Sequence, residues 1–105
     1  MFDAQEALKA LTLRSNPINT LVAMVGAHSF GVNDKESSIT FKFKAKALNK
    51  ANYCTITLDQ GKDLYNLKMG RVWGLNVKTV FEEKGLFFDQ LKPIFENETH
   101  LYLSL

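Results

Sequence analysis

The residues best suited to chemistry in this chain are lysines. Over Ile39-Thr40-Phe41-Lys42-Phe43-Lys44-Ala45-Lys46, apolar and polar residues alternate strictly. Successive side chains on an extended strand point to opposite faces. Lys42, Lys44 and Lys46 therefore fall in a row, with Ile39, Phe41, Phe43 and Ala45 behind them. A row of ammonium groups can neutralise phosphates, and Lys68 and Lys78 join it if their strands align in the same phase. The competing reading is an ordinary solvated face, on which lysine also guards a strand edge against aggregation. No aromatic residue interleaves with the row as a stacking platform; the nearest is Tyr53, on the Thr55/Thr57 side of its strand. Arg71 and Trp73, set between Gly70 and Gly74, are the second candidate. A tryptophan at such a turn either anchors a partner or folds back over the open end of the core.

Catalytic groups are scarce. His28 and His100 are the two histidines and Cys54 the one cysteine. A zinc site needs three or four ligands at compatible spacing, so no metal is expected. Cys54 alternates in phase with Ile56 and Leu58 and reads as a small core residue; a nucleophilic pair with His28 or His100 has no local motif behind it. Glu82-Glu83 and Glu96/Glu98 read as solvated carboxylates, because general acid–base work needs positioned, perturbed groups. There is no GxGxxG, P-loop or GxSxG pattern, and no Lys-Ser/Thr follows Gly26 and Gly31. No cofactor is expected, and the chain reads as non-enzymatic.

Composition sets the frame for these side chains. The 105 residues make one domain, 1–105, and 46% hydrophobic content supports a core. Net charge is +2 and the pI is near 8.7, so basic residues matter here only through clustering. One cysteine allows no intrachain disulfide and fits a reducing compartment. No apolar run reaches bilayer-spanning length, and the N-terminus Met1-Phe2-Asp3-Ala4-Gln5-Glu6 lacks a basic leader region. These features predict a cytoplasmic protein with no membrane partner. The glycosylation-like triplet Asn97-Glu98-Thr99 is discounted accordingly.

The elements that must position the candidates follow from periodicity. Asp3, with Glu6 three residues on, opens a helix whose apolar face is Ala4, Ala7, Leu8 and Leu11, with Arg14 near its end. Asn16-Pro17 starts a second helix with Ile18, Leu21, Val22 and Val25 inward and Gly26 as its stop. Residues 27–38 are undecided; His28-Ser29-Phe30 fits a short strand, and Asn33-Asp34 is turn chemistry. The lysine-bearing strand follows, then a turn at Asn49–Asn52 and a strand over Tyr53–Leu58. A loop around Gly61 leads to a strand over Leu64–Met69 and a turn over Gly70–Gly74. A strand over Leu75–Phe81 has Leu75, Val77, Thr79 and Phe81 on one side and Lys78 opposite. Glu82–Gly85 reads as a turn. Asp89 caps a last helix with Leu91, Ile94 and Phe95, starting early enough for Pro93 to sit in its first turn. Leu101–Leu105 is a short strand or an extended tail. The prediction is α+β: an antiparallel four-stranded meander, with an N-terminal αα pair and a C-terminal helix packed on one face.

The segments Ala23–Phe30, Tyr53–Leu58, Asp63–Met69 and Asp89–Thr99 resemble a widespread group of small proteins encoded by bacteriophages and other mobile elements. The similarity runs in order through about residues 20–105 and leaves Phe2–Asn16 outside. Where that group commonly has glycine after the last threonine, this chain has His100. The resemblance implies a phage or prophage origin and the cytoplasm of a host bacterium, and by association the host-defence inhibitors such as anti-CRISPR proteins. It implies no catalytic residue. The expected function is thus a macromolecular binding module for a host protein or nucleic acid. Its candidate surface residues are Lys42, Lys44, Lys46, Lys68, Lys78, Arg71 and Trp73. The alternative is a self-associating structural protein, a homo-oligomer paired through an edge strand or the Leu101–Leu105 tail.

Overall fold

The computed structural model describes residues 2–103. It contains helices α1 (Ala4–Thr12) and α2 (Pro17–Val25), then strands β1 (His28–Asn33), β2 (Ser38–Lys42), β3 (Tyr53–Asp59), β4 (Leu64–Trp73) and β5 (Asn76–Leu86). A 3-10 turn over Phe88–Gln90 leads into α3 (Leu91–Thr99). The strands form one open antiparallel sheet in the order β1-β2-β3-β4-β5, so the α+β meander is present with five strands rather than four. The added strand is β1, which pairs with β2 from the segment around His28–Phe30.

Each helix begins and ends for an identifiable reason. The Asp3 carboxylate accepts the Glu6 N–H at 3.2 Å, and Leu13 closes α1 in the left-handed region. Glu6 reaches Lys9 instead of completing a reciprocal cap. Arg14 lies beyond the helix. Pro17 occupies the first helical position of α2, but the Asn16 side chain makes no capping bond there. Leu21 and Val25 are buried while Val22 is exposed, so the inward stripe of α2 is narrower than its spacing predicts. Asp89 does not cap α3. It sits in the 3-10 turn, which the Gln90 side chain closes by accepting the Phe87 N–H at 2.8 Å. Starting α3 at Leu91 leaves Pro93 in the first turn, where its missing N–H costs nothing. His100 takes the left-handed position at the C-terminus of α3, with φ 58° and its N–H on the Glu96 carbonyl. The tail runs on without forming a strand through its described residues. Buried Leu103 donates its N–H to Glu96 Oε2 at 2.7 Å; Ser104 and Leu105 lie outside the described residues.

The core lies between the helices and one sheet face. Leu8, Leu11 and Leu21 meet Phe41, Cys54, Ile56, Leu67 and Met69 there, with Leu91 and Phe95 from α3. Phe43 and Phe95 pack edge to face with ring centroids 5.9 Å apart. Removing this much apolar surface from water is the main stabilising term of the fold.

Two departures from the predicted strands decide where the cations go. First, β2 stops at Lys42. Beyond it the Phe43 N–H goes to the Asn52 carbonyl, and the N–H groups of Lys44 and Ala45 both go to the Val25 carbonyl at the end of α2. The chain has left the ladder, and residues 43–52 form one long loop. Lys44 and Lys46 therefore do not share a strand face with Lys42. Second, β4 continues through Gly70 to Trp73, and the turn falls on Gly74-Leu75. β5 then runs through Glu82–Gly85, which is not a turn. Met69 pairs with Phe81 but Gly70 pairs with Thr79, so Val80 is a bulge residue that resets the in-out phase. Phe81 faces the core, while Val77 and Thr79 lie on the outer face and Leu75 is wholly exposed at the apex. Lys78 pairs with Arg71, in phase with Met69 and away from Lys42 and Lys68.

Gly70 permits this crossing. A Cβ there would lie 2.4 Å from the Lys78 carbonyl oxygen and 2.5 Å from the Tyr53 hydroxyl, because the Tyr53 ring lies across the glycine. Gly70→Ala is expected to destabilise the protein by about 2–3 kcal/mol, since one blocking atom is strand backbone. Gly31→Ala, with nothing within 4 Å of its added methyl, is expected to stay within about 0.5 kcal/mol of the parent. Urea unfolding of both variants measures the difference.

Candidate functional site

The seven predicted residues separate into two groups. Lys42 and Lys68 occupy the outer sheet face, in rows with Tyr53 and with Thr55 and Glu82 respectively. Tyr53 is buried over Gly70, so its ring offers no free stacking surface. Lys44, Lys46, Arg71, Trp73 and Lys78 gather at one end of the sheet, where the 43–52 loop meets the β4–β5 hairpin. Lys44, Lys46 and Arg71 line a hollow of about 480 Å³ together with Lys50 and Asn52. Arg71 and Lys50 also border an adjoining hollow of about 410 Å³, with Asn49, Trp73, Lys78 and Val80. Among the described residues, neither hollow has a carboxylate in its wall. Sequence periodicity missed Lys50 and Asn49, because nothing in a ten-residue loop tells which side chains converge.

The loop is tethered to α2, α3 and β4. Its start hangs on the Val25 carbonyl, Leu48 donates to the Thr99 carbonyl at 2.8 Å, and Arg71 Nη1 donates to the Lys50 carbonyl at 3.2 Å. The first two anchors are the C-terminal ends of α2 and α3, where unpaired carbonyls carry partial negative charge and favour nearby cations. The hairpin is fixed by Asn52. Its side-chain amide donates to the Val72 carbonyl and accepts the Val72 N–H, both at 2.8 Å, acting as one more peptide unit alongside β4.

The electrostatics are one-sided. Arg71 and Lys78 lie directly opposite each other in the ladder. Like charges in that position are destabilising. The one ion pair among the described residues, Lys9–Glu6 at 3.6 Å, is elsewhere. Carboxylates collect at the far end of β4. There, burial first and then the charges of Glu6, Asp63 and Asp3 push the Tyr65 phenol above its ordinary value. Tyr65 and Arg71 are six residues apart along the strand, about 20 Å at ~3.3 Å per residue. Physiological salt screens over about 8 Å, so the acidic end does not neutralise the basic one. Beside the second hollow, Asn49 Nδ2 is buried without a hydrogen-bond partner, while its Oδ1 accepts the Ala51 N–H at 3.1 Å.

The other reactive groups lie apart from this surface. Cys54 is completely buried among apolar side chains, and burial pushes its thiol far above the ordinary range. His28 is exposed, with Nδ1 2.9 Å from the Ser29 hydroxyl. Among the described residues no three His, Cys, Asp or Glu side chains are grouped to hold a metal ion. No helix among them is long and apolar enough to cross a membrane. Comparison with protein-family models, curated proteins and solved structures finds no match for this chain.

Two outcomes follow from this geometry. Asn52→Ala removes both bonds to Val72 and is expected to cost about 1–3 kcal/mol in urea unfolding, with faster hydrogen exchange at the Val72 amide. Cys54 is expected to resist an aromatic disulfide reagent in the native protein at pH 8 and to react only as fast as the chain unfolds, because the thiolate is the reacting species.

Proposed function

We propose that this chain is a non-enzymatic binding module whose target is nucleic acid, captured at the basic end of the sheet. This is the role of a small mobile-element protein acting in a host cytoplasm. The observation that carries the reading is the convergence of Lys44, Lys46, Lys50, Arg71 and Lys78 on two joined hollows whose walls, among the described residues, contain no carboxylate. Such clustering gives a protein of net charge +2 a strong local field. Phosphate recognition uses cations of this kind, whereas the cores of protein–protein interfaces are depleted in lysine. Self-association through β5 is less favoured. That edge carries Lys78, Glu82, Glu83 and Lys84 together with backbone bulges, which discourage pairing with another strand.

Binding through phosphates makes affinity fall linearly with salt on logarithmic axes. An electrophoretic mobility-shift titration is expected to show binding at low salt that weakens steeply as salt is raised. Lys46→Glu and Lys78→Glu are expected to weaken it roughly tenfold or more and to flatten the salt slope, since each removes one phosphate contact and adds a repulsion. Lys62→Glu, in the loop at the opposite end of β3 and β4, is the control and should leave affinity nearly unchanged. Absence of binding at low salt, or equal losses for Lys62→Glu and Lys46→Glu, would refute the reading.

A further inference from the structure

The form of nucleic acid can be narrowed, an inference that rests on the reading just given. We propose that the ligand is single-stranded and that Trp73 stacks one of its bases while the neighbouring cations hold the flanking phosphates. Trp73 is the chain's one tryptophan and is 48% exposed at the rim of the second hollow. It does not fold back over the core, nor is it covered by another ring. Arg71 precedes it by two positions, on the same side of β4, and Lys78 lies across the ladder from Arg71. An indole surrounded by cations without carboxylates combines the two elements of single-strand recognition: a π-face that any base can use, and a positive groove that follows the backbone.

The shape of the site favours a single strand over a duplex. The cations line recesses of about 480 and 410 Å³ between a loop and a hairpin. A splayed nucleotide can enter such a recess; the stacked bases of a duplex, closed between two backbones, cannot present a face to Trp73. The platform is held rigid because Asn52 fixes Val72, the residue before Trp73, through both of its backbone groups. Leu75 at the apex, two residues beyond Trp73, is also exposed and extends the contact surface available to unpaired bases.

The test compares a short oligothymidylate with a duplex of equal length, at equal low salt. The sole tryptophan makes intrinsic fluorescence a direct report on Trp73. The single strand is expected to quench it and to bind more tightly than the duplex. Trp73→Ala should weaken single-strand binding roughly tenfold or more while leaving the salt slope unchanged, and Trp73→Phe should retain most of the affinity. Because Trp73 is half exposed, unchanged urea unfolding is expected of both variants. Equal affinity for the two forms, together with an unaffected Trp73→Ala, overturns the single-strand assignment and leaves the nucleic-acid reading standing. No binding of either form at low salt overturns both. A blue shift of Trp73 emission on anionic phospholipid vesicles, without quenching by the oligonucleotide, assigns the surface to lipid and overturns the proposal.

Discussion

The arrangement of the basic end depends on one carbonyl group. Val25, the last residue of α2, accepts N–H groups from both Lys44 and Ala45, at 3.1 and 3.0 Å. That pair of bonds takes the chain out of the sheet just after β2 and turns residues 43–52 into a loop. Gly26 makes the approach workable. It ends α2 in the left-handed conformation, and a Cβ there would press to 3.2 Å against the Lys44 Cβ. A helix ending thus determines where a lysine is displayed. Without it the alternation of Ile39–Lys46 would continue, and the three lysines would project from an open sheet face with nothing opposite them.

The charge distribution then follows from topology. In an antiparallel meander, the β2–β3 and β4–β5 connections lie at one end of the sheet and the β1–β2 and β3–β4 turns at the other. The first pair of connections carries Lys44, Lys46 and Lys50 in its loop, with Arg71 and Lys78 flanking its hairpin turn. The second pair carries Asp34, Glu36, Asp59 and Asp63 together with Lys35 and Lys62, and Asp63, Asp3 and Glu6 all act on Tyr65 there. A modest net charge therefore conceals a basic end of the sheet opposite an end of mixed charge with an acidic excess.

The sequence shows some of this and hides the rest for physical reasons. Both N-terminal helices, the stop at Gly26, the inward phase of Phe41, Cys54, Ile56, Leu67 and Met69, and Pro93 in a first helical turn were legible, because each is set by local periodicity or local backbone chemistry. The lysine row was not. Its alternation continues past Lys42, but the backbone partner that draws Lys44 and Ala45 away from β3 is Val25, and such a non-local bond leaves no mark on the alternation itself. The phase of Lys78 was hidden for a related reason. The bulge at Val80 exists because Gly70 lets Tyr53 and β5 close in on the same point, and Gly70 alone looks like a turn residue. Lys50 and Asn49 gave no periodic signal at all.

The Arg71–Lys78 pairing ties stability to the surface reading. Two cations face each other across the ladder with no carboxylate nearby, although a single acidic substitution on either strand would relieve the repulsion. Local rules broken without a compensating contact are concentrated at functional sites. Here two such features coincide at one pair of hollows: the like-charge pair and the half-exposed indole of Trp73. Each is unfavourable in the free protein, and a ligand bringing both an anionic group and a flat apolar face would relieve both. On the proposed reading, a phosphate would screen the cations and a base would cover the indole, and a nucleotide chain carries both complements within the span of a few residues.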